Sequence, residues 1–198
     1  SNGISIFVAD ITKRKQTELL LIEQKQILEL IATGQSLEHC LKAICNTISK
    51  LNPSIRACFL LADERRLTFQ SLITPTPDLA SSFAQGIKGA PINELCIGTC
   101  GTAVYCGESI TCTDIANDDR WSQEWRELCL AHGISACHSR PVFNVEGVIG
   151  SLMLCFDTAR IPTEWEYQLA DFGTQVASIV FERDRSNLAV QKSEERLS

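Results

Sequence analysis

Residues 134–157, ISACHSRPVFNVEGVIGSLMLCFD, decide the fold of this chain. They predict two strands joined by a tight turn at Asn144–Gly147, where Gly147 supplies a residue that tolerates positive φ. The second strand, Val148 to Phe156, is apolar almost without a break. Because a strand with one wet face would alternate, this run indicates burial on both faces. We therefore predict a hairpin at the centre of an antiparallel sheet that is covered on both sides.

The segments before the hairpin predict both helices and strands. Residues 4–11 alternate and are β-branched, which predicts a strand. Residues 13–33 lack Pro and Gly and carry apolar residues at heptad-like steps, which favours a helix packed on another helix. Ser36 is a good cap for a second helix. Further elements are predicted as strands at 56–62, 67–73 and 109–113, a short helix at 99–106 and a helix ending near His132.

The C-terminal segment predicts one long helix. Pro162 is expected to open it, since proline is tolerated in the first helical turn. Apolar residues then recur at steps of three and four, and beyond Arg183 charged residues predict a helical exit linker. The element order predicts a mixed α/β fold of the α+β kind, with a central antiparallel sheet. The long terminal helices would cover one face, and loops and short helices would form a pocket on the other.

Composition excludes several classes of function. The net charge is -6 and the pI about 5.1, whereas a nucleic-acid surface needs a clustered positive patch. No apolar run approaches the ~20 residues of a membrane span. The first residues lack the basic segment and cleavage site of a signal peptide, which predicts a cytoplasmic location.

The ten cysteines are best interpreted as reduced, buried, small apolar residues. The chain contains no C-x-x-C pair, and most of the cysteines lie in apolar runs. The series Cys96, Cys100, Cys106 and Cys112 is explained as well by core positions as by a metal site. We therefore predict no metal. The acids Asp114, Asp118 and Asp119 lack an accompanying nucleophile or base and are predicted to be turn and cap residues, so no catalytic residue is expected.

The order of elements and three motifs resemble the GAF domain family of small-molecule-sensing and dimerising modules. The motifs are Gly98–Ala103, Asp114-Ile115, and Cys137–Val142 together with Gly147–Gly150. The resemblance covers about residues 20–182. It implies a non-catalytic sensory module that binds a small ligand or relays a signal.

The flanks resemble PAS domains. Residues 10–18 are similar to a PAS exit and residues 193–197 to a PAS start. The resemblance implies a PAS tail at 1–18, a helical linker at 19–34, a GAF domain at 35–182 and a second helical linker at 183–198. Such arrays belong to two-component or cyclic-di-GMP signalling proteins and usually end in a histidine kinase, a diguanylate cyclase or a phosphodiesterase. No such output motif is present here.

Within this resemblance, the pocket candidates are Cys100, Trp121, Cys137 and His138. Bilin-binding relatives carry their cysteine about a dozen residues before the alanine matching Ala136, near Glu124, which argues against a covalent bilin. Cys137-His138 instead matches a Cys-Trp-Ser-x-Pro element with His138 replacing tryptophan. His138 is interpreted as a hydrogen-bonded core histidine or, alternatively, as a ligand contact or axial haem ligand.

Three functional hypotheses remain open. The first is a sensor and relay module that forms a homodimer through helices 13–33 and 164–198, next to PAS domains of the same chain. The second is a structural dimeriser with an unfilled pocket. The third is an enzyme, a sulfoxide reductase, which would need thiols converging on one open cleft. A thiol or haem redox sensor is a further alternative.

Overall fold

A computed structural model describes residues 2–94 and 97–197 of the chain. Within these residues the helices and strands follow one another in a single α/β domain. In chain order they are α1 (Asn2–Ala32), α2 (Leu37–Leu51), β1 (Ile55–Ala62), β2 (Phe69–Ile73), a π-helical turn (Leu79–Phe83), α3 (Ala84–Ile87), α4 (Thr99–Cys106), β3 (Ile110–Cys112), α5 (Gln123–Ala131), β4 (Ala136–Asn144), β5 (Gly147–Phe156) and α6 (Glu164–Leu197).

The five strands form one antiparallel sheet in the order β2-β1-β5-β4-β3, so β5 is its central strand. The predicted hairpin is confirmed: Asn144 pairs with Gly147, and Gly147 takes a positive φ of 120°. Residues 150–156 of β5 are all buried. The unbroken apolar run therefore indicated double-sided burial correctly.

Two hydrophobic cores lie on opposite sides of the sheet. We call the side covered by α1, α2 and α6 the helix face; its core includes Ile44, Ile48, Leu154, Leu169 and Val176. We call the side covered by the π-helical turn, α3, α4 and α5 the loop face; its core includes Phe69, Phe83, Ile115, Trp125 and Met153. This division confirms the predicted fold class.

The N-terminal prediction was wrong at one point. Residues 4–11, predicted as a strand, belong to helix α1. The five strands of the sheet lie between Ile55 and Phe156, so no strand in the described part of the chain pairs with this segment. An alternating apolar segment forms a strand only where a neighbouring strand supplies hydrogen-bond partners for its backbone. A helix forms its backbone hydrogen bonds within the segment itself.

Helix α1 runs parallel to α6 along the helix face. Lys13 pairs with Glu164 at 3.3 Å near the start of the shared stretch, and Arg183 donates to the carbonyl of Ile31 near its end. No helix among the described residues combines the length and the apolar character that a membrane crossing requires.

A buried ionic cluster fixes the start of α6. Pro162 precedes the helix and does not open it; Thr163 is the cap, since its hydroxyl accepts from the Glu166 N–H at 3.3 Å. The Glu166 carboxylate in turn accepts from the Thr163 N–H at 2.7 Å, which completes a capping box. It also accepts two bonds of 2.7 Å from Arg160 and one of 3.1 Å from Asn52 at the end of α2. Glu166 therefore joins α6, the β5–α6 connection and α2.

Candidate functional site

Strand alternation separates the four predicted pocket residues into two groups. On β4, Cys137 faces the loop-face core, together with Cys100 and Trp121. Its neighbour His138 points to the helix face, where its ring packs edge-on against Tyr167 of α6 with centroids 4.9 Å apart. The sheet therefore lies between His138 and the other three candidates.

His138 has the surroundings of a packed core histidine. Its Nδ1 lies 2.8 Å from Oγ1 of Thr111 on β3, and the residue is 3% exposed. Its Nε2 is buried without a hydrogen-bond partner among the described residues. Burial, and then the charge of Arg140, lower the pKa of His138 to about 4, so the imidazole is neutral at pH 7. As an axial haem ligand, it could act only on the helix face.

The loop face carries a cluster of buried thiols. Its six members are Cys58, Cys100, Cys112, Cys129, Cys137 and Cys155. Cys137 lies directly opposite Cys112 on β3 and Cys155 on β5, so three thiols form one row across the sheet. Burial raises the pKa of Cys100 to about 12 and the pKa of Cys137 well above its ordinary value. These thiols are therefore protonated at neutral pH and unreactive as nucleophiles.

The other described cysteines form no disulfide. All nine described cysteines are free, and Cys106 is the exposed one among them. Cys96 lies outside the described residues. Among those that are described, no three His, Cys, Asp or Glu side chains are placed to hold a metal ion.

Trp121 covers one side of the loop-face core and is held by Asp118. The indole N–H donates to Oδ2 of Asp118 at 3.0 Å, and the Arg120 guanidinium lies 5.0 Å from the Trp121 ring centroid. Hydrogen bonds from Arg120 hold the pKa of the Asp118 carboxyl well below its ordinary value. Asp118 also accepts from the Arg120 backbone N–H, as expected of a turn residue. The carboxylate therefore stays charged and orients the indole.

A cleft of about 270 Å³ opens on the loop face between α3 and α5. Its lining is mostly apolar and comprises Gly86, Ile87, Ala90, Ile97, Ser122, Glu124, Trp125 and Leu128. The two walls approach closely at Gly86, where an added Cβ would lie 2.7 Å from Cδ1 of Leu128. An apolar cleft with few polar groups is typical of a small-molecule site.

Trp125 forms the inner wall of this cleft and is 4% exposed. A Cβ at Gly98 would lie 2.3 Å from its Nε1, so only glycine allows the indole to occupy this position. The Nε1–H is buried without a hydrogen-bond partner in the described part of the chain, although it lies close enough to Cys100 to favour the thiolate. Because Nε1 is buried, the cleft presents the ring of Trp125 and not its N–H.

His132 ties the two walls together at the far end of the cleft. It is the C-terminal cap of α5, as the sequence predicted. Its Nδ1 lies 2.8 Å from the Leu128 carbonyl, so Nδ1 carries a proton, and its Nε2 lies 2.7 Å from the Ser82 hydroxyl. Arg56 of β1 adds bonds to Asp78 and to the carbonyls of His132 and Gly133. The π-helical turn and α5 are thus held at a fixed separation.

Sequence reasoning missed most of this cleft. Trp125 and Leu128 lie on the helix that was predicted to end near His132, and neither they nor Gly86 were among the pocket candidates. One signal pointed to the cleft: Glu124, which the resemblance placed near the cofactor-binding position of bilin relatives, is among its lining residues. The two walls are some 40 residues apart in sequence, and local patterns do not show that they meet.

Comparison with known proteins identifies the class. The family model described as GAF domain matches residues 34–182. The chain belongs to the GAF domain family.

One curated relative is the methyl sulfide methyltransferase-associated sensor of Methanosarcina acetivorans, 30% identical over 189 residues. The match covers 94% of this chain but 18% of that relative, so the chain corresponds to less than a fifth of the larger protein.

Solved structures share the fold at low identity. A GAF sensor protein from Burkholderia vietnamiensis aligns with a TM-score of 0.63 and 14% identity, over 86% of this chain and 98% of that chain. A domain of a two-component sensor histidine kinase protein from Sinorhizobium meliloti 1021 aligns with a TM-score of 0.60 and 19% identity, over 80% and 99%. The reduced form of fRMsr of Staphylococcus aureus aligns with a TM-score of 0.59 and 15% identity, over 81% of this chain and 94% of that chain. At these identities the similarity shows the fold alone.

Proposed function

We propose that this GAF domain is a non-catalytic sensory module that passes signals through its terminal helices, paired with those of a second copy. The similarity to a sensor of Methanosarcina acetivorans supports a signalling role. The similarity to part of a sensor histidine kinase supports a two-component setting, with an output domain elsewhere in a longer chain. Adjacent PAS domains and a cytoplasmic location belong to the same proposal.

The observation that carries the proposal is a row of exposed apolar side chains along α1 and α6. Leu21 and Leu28, one heptad apart on α1, are 61% and 37% exposed, and Ile179 on α6 is 43% exposed. The parallel register of the two helices puts Leu28 near the level of Ile179. A groove of about 300 Å³ beside this row is lined by Leu21 and Phe172 among others.

A second copy is the occupant that fits this row. The same pair of parallel helices from two chains would form a four-helix bundle, with the leucines at coiled-coil positions. A self-complementary patch of this kind is what a two-fold dimer uses. Since α6 continues as a helix to Leu197, such a bundle would place two exit helices side by side.

We predict that the double variant Leu21→Glu, Ile179→Glu is monomeric, whereas the wild-type chain is a dimer. Four carboxylates buried at the pairing surface would repel each other and lose hydration. Light scattering after gel filtration at several concentrations measures the mass. The matched control is Ile22→Glu, because Ile22 is similarly exposed at 54% but lies about 100° around α1 from Leu21. A monomeric wild-type chain at high concentration would contradict the proposal.

The loop-face cleft supports a second component of the function, the binding of a small ligand. A dry 150 Å³ cavity is enough for a benzene molecule, so about 270 Å³ accommodates a two-ring molecule. The mostly apolar lining and the ring of Trp125 favour an uncharged, flat molecule. The reductase hypothesis receives no support from the geometry, since the six loop-face thiols are buried and no described cysteine lines the cleft.

We predict that quinoline or benzamide raises the melting temperature of the wild-type chain but not of Ala90→Phe. At ten times its Kd, a ligand stabilises the folded state by about 1.4 kcal/mol. Ala90 lines the cleft, so a phenyl group there would occupy the ligand volume. Ala80→Phe is the control, because Ala80 is exposed in the π-helical turn and outside the cleft lining. If neither molecule binds any variant, the structural dimeriser becomes the better hypothesis.

A further inference from the structure

Helix α6 leaves the body of the domain within a single turn. Val180 is fully buried, residues 181–184 are half-buried, and the side chains from Arg185 to Lys192 are exposed. Whatever holds this turn sets the direction in which the exposed part of the helix continues.

Three side chains of this turn hold two parts of the domain, the β4–β5 turn and the end of α1. Oε1 of Glu182 accepts from the Val145 N–H in the β4–β5 turn at 2.9 Å. The Arg183 guanidinium donates to the carbonyls of Ile31 and Gln35. Arg185 lies 3.5 Å from the carboxylate of Glu146. We call the contacts of residues 182, 183 and 185 the α6 clamp.

Arg183 is suited to its place at the end of α1. The last carbonyls of a helix have no partner within the helix, and a positive charge there is stabilised by the helix dipole. The rigid fork of a guanidinium reaches two carbonyls at once in one geometry, which the single ammonium of lysine does not reproduce. The end of α1 is thereby fixed to α6.

The β1–β2 turn joins the same point through Arg66. Its Nη2 donates to the Glu146 carbonyl at 2.7 Å. Arg66 has φ of 57° and is the single non-glycine residue with positive φ in the described part of the chain. A residue with a Cβ persists in this conformation where its surroundings hold it, and the bond to Glu146 is such a restraint. The β4–β5 tip and the end of α1 therefore contact α6 where it leaves the core, and the β1–β2 tip is joined to them through Glu146.

We propose that the α6 clamp couples α1 and the β4–β5 hairpin to the exit helix, so that a displacement of either one changes the order of α6 beyond residue 184. Only the assignment of this coupling to signal relay rests on the proposed function. The coupling itself is a property of one chain, because every contact of the clamp lies within it.

Hydrogen exchange followed by mass spectrometry on the 198-residue chain tests the clamp. In Arg183→Met, which keeps the stem and removes the donors, exchange in residues 30–36 accelerates about tenfold. The proposal requires similar acceleration in residues 143–148 and 184–192, to which the Arg183 side chain makes no bond. Acceleration confined to residues 30–36 would overturn it. Arg14→Met is the matched control, because the Arg14 side chain bonds to Glu18 on its own helix and to no other residue that the structure describes.

A second pair of variants tests the clamp from the hairpin side. Glu182→Ala removes the acceptor for Val145 and is expected to accelerate exchange in residues 30–36, whereas Glu182→Gln keeps an acceptor oxygen and retains slow exchange there. Equal exchange in both variants would refute the coupling, and this pair decides the question if Arg183→Met fails to fold. Repeating the series in the Leu21→Glu, Ile179→Glu background separates the two proposals, because a monomer leaves the clamp intact.

Discussion

Replacing Glu166 by alanine is expected to destabilise the domain by about 3 kcal/mol, because breaking a buried ion pair strands the remaining charge. The Glu166 side chain is 2% exposed, and its carboxylate accepts from Arg160, Asn52 and the Thr163 N–H. Its removal leaves these donors unpaired and takes away half of the capping box of α6. Chemical denaturation of the purified chain measures the loss.

Glu164 provides a matched control for this experiment. It lies on the same helical turn and also pairs with a basic residue, but its side chain is 77% exposed. An exposed pair of this kind contributes at most about 1 kcal/mol. If Glu164→Ala and Glu166→Ala lowered the free energy of unfolding by similar amounts, burial would not determine how much the Glu166 cluster stabilises the domain.

Glu166 also makes a contribution that depends on pH. Burial by itself would raise the pKa of its carboxyl, but the bonds from Arg160 and Thr163 outweigh burial and lower the pKa. The stabilisation is therefore present above the ordinary carboxyl range and is lost as the pH falls below it. The contributions of other groups to the pH dependence of unfolding are therefore best measured above pH 5.

Acidification from pH 7.5 to 5.5 is expected to cost the wild-type chain about 1.4 kcal/mol through His138. The imidazole has an ordinary pKa of 6.5 when the chain is unfolded, and burial lowers it to about 4 in the folded domain. The unfolded state therefore binds a proton over this interval and the folded state does not. The contribution of His138 to the free energy of unfolding is fully present above pH 6.5 and decreases as the pH drops. It levels off below the pKa of His138 in the folded domain.

The test compares the pH dependence of unfolding in wild type and His138→Gln. The variant is expected to lose stability at pH 7.5 but to show a shallower slope, and the slope is the decisive quantity because a packing defect alone does not alter it. The groups that face His138 are Thr111 on β3, Arg140 on β4 and Tyr167 on α6. His39→Gln, at an exposed position of α2, should keep the wild-type slope. A wild-type slope in His138→Gln would mean that the imidazole titrates normally.

The elements with strong local signals could be predicted from the sequence. The helix 99–106, the hairpin around Gly147 and the Ser36 cap, whose Oγ accepts from the His39 N–H at 3.2 Å, are all confirmed. Each depends on neighbouring residues alone, through a period, a turn residue or a cap. The strand predicted at 4–11 failed because strand formation depends on a partner that no local pattern can supply.

The site was less accessible to sequence reasoning. The Cys137-His138 pair attracted attention because its residues are adjacent, yet adjacent positions on a strand point to opposite faces. Cys137 and His138 therefore belong to different cores. The loop-face cleft instead brings Gly86 close to Leu128. No periodic pattern in the sequence predicts that these two residues are neighbours.

By itself the sequence determined the family, the central hairpin and the reduced, buried nature of most cysteines, since apolar runs and turn residues act locally and specify burial. The tertiary structure alone decided which side chains share a cleft, which face His138 occupies and where α6 is clamped. These features depend on contacts between residues that are tens to hundreds of positions apart, such as Arg183 with Ile31. Such contacts follow from the packing of the whole sheet and its helices, which no single stretch of the chain contains.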